Sequence, residues 1–62
     1  MDAAKLDSAM REVGFTNNTM ANFLGISRSA FYRKRKGITE FTYSEISAML
    51  TVLPEGSSRI FF

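Results

Sequence analysis

No cysteine and no histidine occur in the 62 residues. Disulfides, Cys-His zinc sites, thiol nucleophiles and imidazole bases are therefore excluded together. A cysteine-free chain fits a reducing compartment. No apolar run approaches the roughly 20 residues that cross a bilayer. The first ten residues have no basic segment leading into an apolar one, so they do not read as a secretory signal. No glycine-rich loop of the phosphate-cradling kind is present. The carboxylates of Asp2, Asp7 and Glu12 are spread along one helical stretch, not paired in an apolar pocket. No enzyme is expected, and no cofactor, metal or small-molecule ligand.

A chain of this length is expected to form one domain, residues 1–62. It buries only about 60% of its unfolded surface, so it needs nearly every apolar residue inside.

Acid is also missing from one stretch. The net charge is only +2, but Asp2, Asp7 and Glu12 lie near the start and Glu40, Glu45 and Glu55 near the end. From Val13 to Thr39 there is none, and five of the eight basic residues fall between Arg28 and Lys36. A modest average thus conceals one basic face.

The apolar spacing predicts helices. Leu6, Met10 and Val13 make one stripe over Asp2 to Val13, with Asp2 as N-cap and Gly14 as the stop; Phe15 then enters the core. Thr16 caps a second helix, about Asn17 to Leu24, whose inward face is Met20, Phe23 and Leu24. A third runs from Arg28 to about Lys36, with Ala30 and Phe31 inward and Ile26 just outside. The stems of Lys34 or Arg35 are expected over the core, with their charged ends in water or on phosphate. After a loop, Thr42 and Glu45 fit a capping box. Ile46, Met49, Leu50 and Leu53 stripe a fourth helix that Pro54 ends. Ile60, Phe61 and Phe62 are too apolar for water. They fold back on the first helix or meet a second copy of the chain.

The joint between the second and third helices is the most informative feature. Gly25 can take positive φ without steric cost, so one helix stops and the chain swings round. Ser27 caps the next. The result is a sharp corner that presents a short, acid-free basic helix, an arrangement suited to the DNA major groove.

These residues resemble the helix-turn-helix of the Cro/phage-repressor family, the lambda-repressor-like DNA-binding domains. Thr16 and Asn17 open the scaffold helix, and Ala21 lies where the two helices touch. Leu24, Gly25 and Ile26 make the turn, Ser27 is the cap, Phe31 the apolar knob and Gly37 the close. The likeness continues through Glu40, Phe41 and Thr42 to the apolar tail. One position departs: such families usually carry an apolar residue where this chain has Lys34. The resemblance implies a compact all-α, four- to five-helix domain with a central helix-turn-helix, and a phage or prophage regulator of the Cro type in a bacterial or phage-infected cytoplasm.

The expected action is sequence-specific binding to double-stranded DNA. Arg28, Ser29, Tyr32 and Arg33 form the exposed N-terminal face that reads bases. Arg28 and Arg33 suit guanine O6 and N7. Tyr32 suits a thymine methyl or a phosphate, or else covers the loop at Thr39. Asn17, Ser27, Lys34, Lys36 and Thr39 are expected on the DNA backbone, with Arg35 beside them. One recognition helix covers few base pairs, so a homodimer on DNA is expected, with Ile60, Phe61 and Phe62 as its candidate interface. The alternative is an anti-repressor or modulator that docks the same basic helix on a partner protein. A non-specific DNA binder fits the modest charge poorly, and no aromatic platform for stacking RNA bases is evident.

Overall fold

Backbone donors at helix starts and acceptors at helix ends fix the architecture. The computed structural model describes residues 1–62 and contains five helices and no strand: α1 (Ala3–Glu12), α2 (Asn17–Leu24), α3 (Arg28–Arg35), α4 (Tyr43–Leu50) and α5 (Ser58–Phe61). Each of the first four begins on the side chain that the spacing predicts. Asp2, Thr16, Ser27 and Thr42 accept from the backbone N–H of Lys5, Thr19, Ala30 and Glu45 at 3.1, 3.1, 3.0 and 3.2 Å. Each satisfies one of the donors that a helix start leaves free. Two caps are reciprocal: Thr16 N–H donates to Thr19 Oγ1, and Thr42 N–H to Glu45 Oε1, both at 2.8 Å.

The first three helices all end in one pattern, the Schellman motif. At α2, Gly25 N–H donates to the Asn22 carbonyl at 3.1 Å and Ile26 N–H to the Ala21 carbonyl at 3.0 Å. Gly14 and Phe15 close α1 on Arg11 and Met10 in this way, and Gly37 and Ile38 close α3 on Lys34 and Arg33. The pattern needs a left-handed residue, and Gly25 has φ 72°. Phe15 and Ile26 fold back against the core, whereas Ile38 stays exposed.

The core is Leu6, Ala9 and Met10 of α1, Met20 and Ala21 of α2, Phe31 of α3, Met49 of α4, then Leu53 and Ile60. α2 packs on α3 and α4, and α1 on α5. Ala21 is buried at the joint, where its small side chain lets α3 approach. Phe31 is the one fully buried residue of α3. It meets Phe41 at 5.7 Å between ring centroids, and Phe41 meets Phe61 at 6.1 Å edge-on, so three rings tie α3 through the loop to α5.

Several expectations need correction. Val13 leaves the α1 stripe and is exposed, because the helix stops at Glu12 and Phe15 takes its place against the core. Phe23 is 45% exposed. At about 100° per residue it lies roughly 110° from the middle of the Met20–Ala21–Leu24 stripe, and it packs edge-on to Phe15 on the flank, at 5.9 Å. α4 ends at Leu50, well before Pro54; the chain turns on, and Leu53 N–H donates to the Met49 carbonyl at 2.9 Å. In the tail, Ile60 is buried and its carbonyl accepts from Asp2 N–H at 3.1 Å. Phe61 is half-buried on Phe41. Only Phe62 remains outside, edge-on to Tyr43 at 6.4 Å, and both of these rings are 77% exposed. The proposed interface therefore loses Ile60 and Phe61 to the core. No helix is long and apolar enough to cross a membrane.

The space around Gly25 is open, with nothing within 4 Å of where a Cβ would sit. The cost of a side chain there is consequently backbone strain alone, about 1–2 kcal/mol for an ordinary residue. Gly25→Val should lower the melting temperature by about 5–15 °C, and Gly25→Asn by less, because Asn tolerates the left-handed region. Equal melting of both variants and the parent would refute this account of the corner.

Candidate nucleic-acid interface

The corner sets α3 across the start of α2, and the two elements leave an open cleft of about 730 Å³ between them. Thr16, Asn17 and Asn18 line it from α2, and Arg28, Ser29, Tyr32 and Arg33 from α3; none is acidic. All seven are exposed. The cleft thus gathers Asn17 with the four residues expected to read bases. Thr16, expected only as a helix cap, and Asn18, not singled out from the sequence, join them. The signal was present: both flank Asn17 at the start of α2, where free backbone N–H groups favour anions.

The remaining candidates are distributed differently. Ser27 lies at the edge, its hydroxyl engaged with Ala30 N–H. Lys36 Nζ stands 5.5 Å from the centre of the Tyr32 ring, a cation–π arrangement that holds ring and ammonium together. This settles the position of the ring beside Lys36, on the exposed face. Thr39 sits in the loop beyond the far end of α3, its N–H 3.4 Å from the Arg33 carbonyl, and does not line the cleft.

Lys34 and Arg35 are corrections. Lys34 Nζ turns inward, donating to Glu45 Oε1 at 2.9 Å and to the Glu40 carbonyl at 3.2 Å. The Lys34 and Glu45 side chains are only 15% and 12% exposed. The ammonium is occupied inside the fold, so the expected phosphate contact of Lys34 is withdrawn. A cation is tolerated at this otherwise apolar position because α4 supplies its counter-ion. Arg35 pairs with Asp7 on α1. Arg28 and Arg33 of α3, and Lys36 at its C-terminal cap, are the cations of this stretch that no carboxylate holds.

Burial by itself raises the Glu45 carboxyl pKa, but hydrogen bonds from Lys34 and Thr42 and the Lys34 charge outweigh it and hold the group below its ordinary value. Glu45 therefore joins two functions, capping α4 and neutralising the cation of α3.

A family model described as bacterial regulatory protein, Fis family, matches residues 1–37, more than half of the 62. The chain belongs to the Fis family. The match takes in α1, α2 and α3, hence the whole corner and its cleft, and makes this a helix-turn-helix DNA-binding domain of a regulator. It does not extend to the Cro/phage-repressor type. Comparison with curated proteins and with solved structures gives no match.

In this Fis-family domain the Glu45 anion should stabilise the fold above the ordinary carboxylate range of about 4, with the stabilisation lost as pH falls through that range and below it. Glu45→Gln should cost about 1–3 kcal/mol at pH 7. The gap from the parent should narrow between about pH 5 and pH 3. Urea unfolding across that range measures it, and a gap independent of pH would disprove the role of the anion.

Proposed function

We propose that the domain is a sequence-specific regulator that reads double-stranded DNA with α3 in the major groove. The acid-free cleft carries the proposal, because it joins guanine-binding side chains to the backbone donors at the start of α2. Eight helical residues span about 12 Å, close to the roughly 12 Å width of the major groove. Arg28, Ser29, Tyr32 and Arg33 meet base edges. Asn17, Lys36 and the Ser27 edge face the phosphates, and Thr39 meets the backbone beyond the end of α3.

The narrower reading is a phage or prophage regulator of the Cro type. Its support is the sequence likeness, which runs past residue 37 to the tail, and the five-helix arrangement with the corner at its second and third helices. The domain measures 26 × 22 × 20 Å. Successive major-groove faces lie about 34 Å apart, so two copies are required to read two of them. Phe62 and Tyr43 remain as the apolar surface through which copies meet.

Selection of duplexes from a random library at about 0.1 M salt tests the reading, since exposed charges are already partly screened there. An enriched motif, in inverted repeat for paired copies, is the expected result. A folded protein that enriches nothing would reverse the conclusion and favour docking on a partner protein. Arg28→Ala should weaken the preferred site by about 1–3 kcal/mol and leave random DNA nearly unaffected. Equal losses on both would remove Arg28 from base reading.

A further inference from the structure

Tyr32 differs in kind from the other groups of the cleft. It is the one hydrophobic residue among those that line it. At about 100° per residue, Arg28 and Arg33 stand roughly 140° apart on the outward arc of α3, and Tyr32 falls between them. The residue is 48% exposed, so its ring has apolar surface to offer.

The ring is also held. Lys36 N–H donates to the Tyr32 carbonyl at 2.9 Å, which sets the two side chains on successive turns. The ammonium then stands 5.5 Å from the ring centre. Lys36 does not line the cleft, so the cation meets the ring without filling the space where a base would sit. A ring already held by a cation has less rotamer freedom to lose on binding than a free one.

The major-groove edge of a base pair presents hydrogen-bond donors and acceptors and a single kind of apolar group, the C5-methyl of thymine. The cleft has the complementary composition, polar and cationic groups around one apolar ring. A phosphate would engage only the phenolic hydroxyl and leave the ring unmatched. We propose that Tyr32 selects thymine at one position of the sequence read by each copy, by packing its ring on the C5-methyl group, and that Lys36 is the positioning residue that holds the ring there. The inference rests on the DNA-reading proposal above and narrows it to one base. It gives Lys36 a part in specificity that is separate from its attraction for phosphate.

The test exchanges thymine for uracil, which removes the methyl group and leaves the O4 acceptor in place. Each thymine of the motif that the parent selects is exchanged in turn, and binding is followed by fluorescence anisotropy. One exchange should weaken the parent about fourfold, the worth of one buried methyl group. Tyr32→Ala should bind the two duplexes equally, whereas Tyr32→Phe, which keeps the ring, should keep the ratio. Lys36→Met should lower the ratio to about twofold or less, since a cation–π contact at an exposed site contributes a factor of about two to five. Lys36→Arg should retain it. A Lys36 that serves only a phosphate would weaken both duplexes alike in Lys36→Met and leave the ratio unchanged, which would overturn its positioning role. A selected motif without thymine, or a uracil effect that persists in Tyr32→Ala, would overturn the assignment of Tyr32 while the domain still reads DNA. A folded parent that selects no motif would overturn the DNA-reading proposal and this inference together.

Discussion

The angle between α2 and α3 decides everything this domain can present outward. Two residues, Gly25 and Ile26, separate the end of α2 from the Ser27 cap of α3. Their hydrogen bonds to Asn22 and Ala21 leave the chain one direction in which to continue. Ala21 then admits α3 at close range, and Phe31 anchors it. With α3 fixed by a single fully buried side chain, most of its surface is free for polar groups. An eight-residue helix with one deep anchor would be weakly held alone. The ring chain from Phe31 to Phe41 to Phe61 and the ion pair from Lys34 to Glu45 supply the remaining support from the opposite side.

This arrangement explains why the residues after 37 matter to an interface built before it. Glu45 caps α4 and holds Lys34, so the start of α4 is tied to the end of α3. The Asp2 N–H bond to the Ile60 carbonyl brings the tail onto the start of α1. Asp7 on the same helix reaches Arg35. The last turn of α3 is thus clamped from α1 and from α4, while its first turn, with Arg28 and Ser29, faces outward.

What could be read from the sequence divides along sequence separation. Asp2, Thr16, Ser27 and Thr42 were identifiable as caps because a cap acts on a backbone N–H three residues ahead. The glycine stops were identifiable for the same reason. Met20, Ala21 and Phe31 followed from helical spacing. Val13 and Phe23 did not, because a stripe shows which side is apolar but not where the helix stops or how wide the buried sector is. The partners of Lys34 and Arg35 lie 11 and 28 residues away. No local pattern marks Glu45 or Asp7 as their counter-ions. Even the capping box, correctly placed on Glu45, gave no hint that its carboxylate serves a second partner.

The basic run therefore overstates the charge that the fold leaves unpaired along α3 and its C-terminal end. Five cations fall between Arg28 and Lys36, but two are paired with carboxylates of the same chain. Those carboxylates belong to the two acidic groups that flank the acid-free stretch, one on each side. The charge pattern along the sequence is thereby a folding device as well as an electrostatic one. Acids placed outside the corner return in space to its far end, neutralise the cations nearest the core, and leave the cations near the cleft to face outward. A domain with little apolar surface to bury gains tertiary contacts from groups that composition alone assigns to solvent.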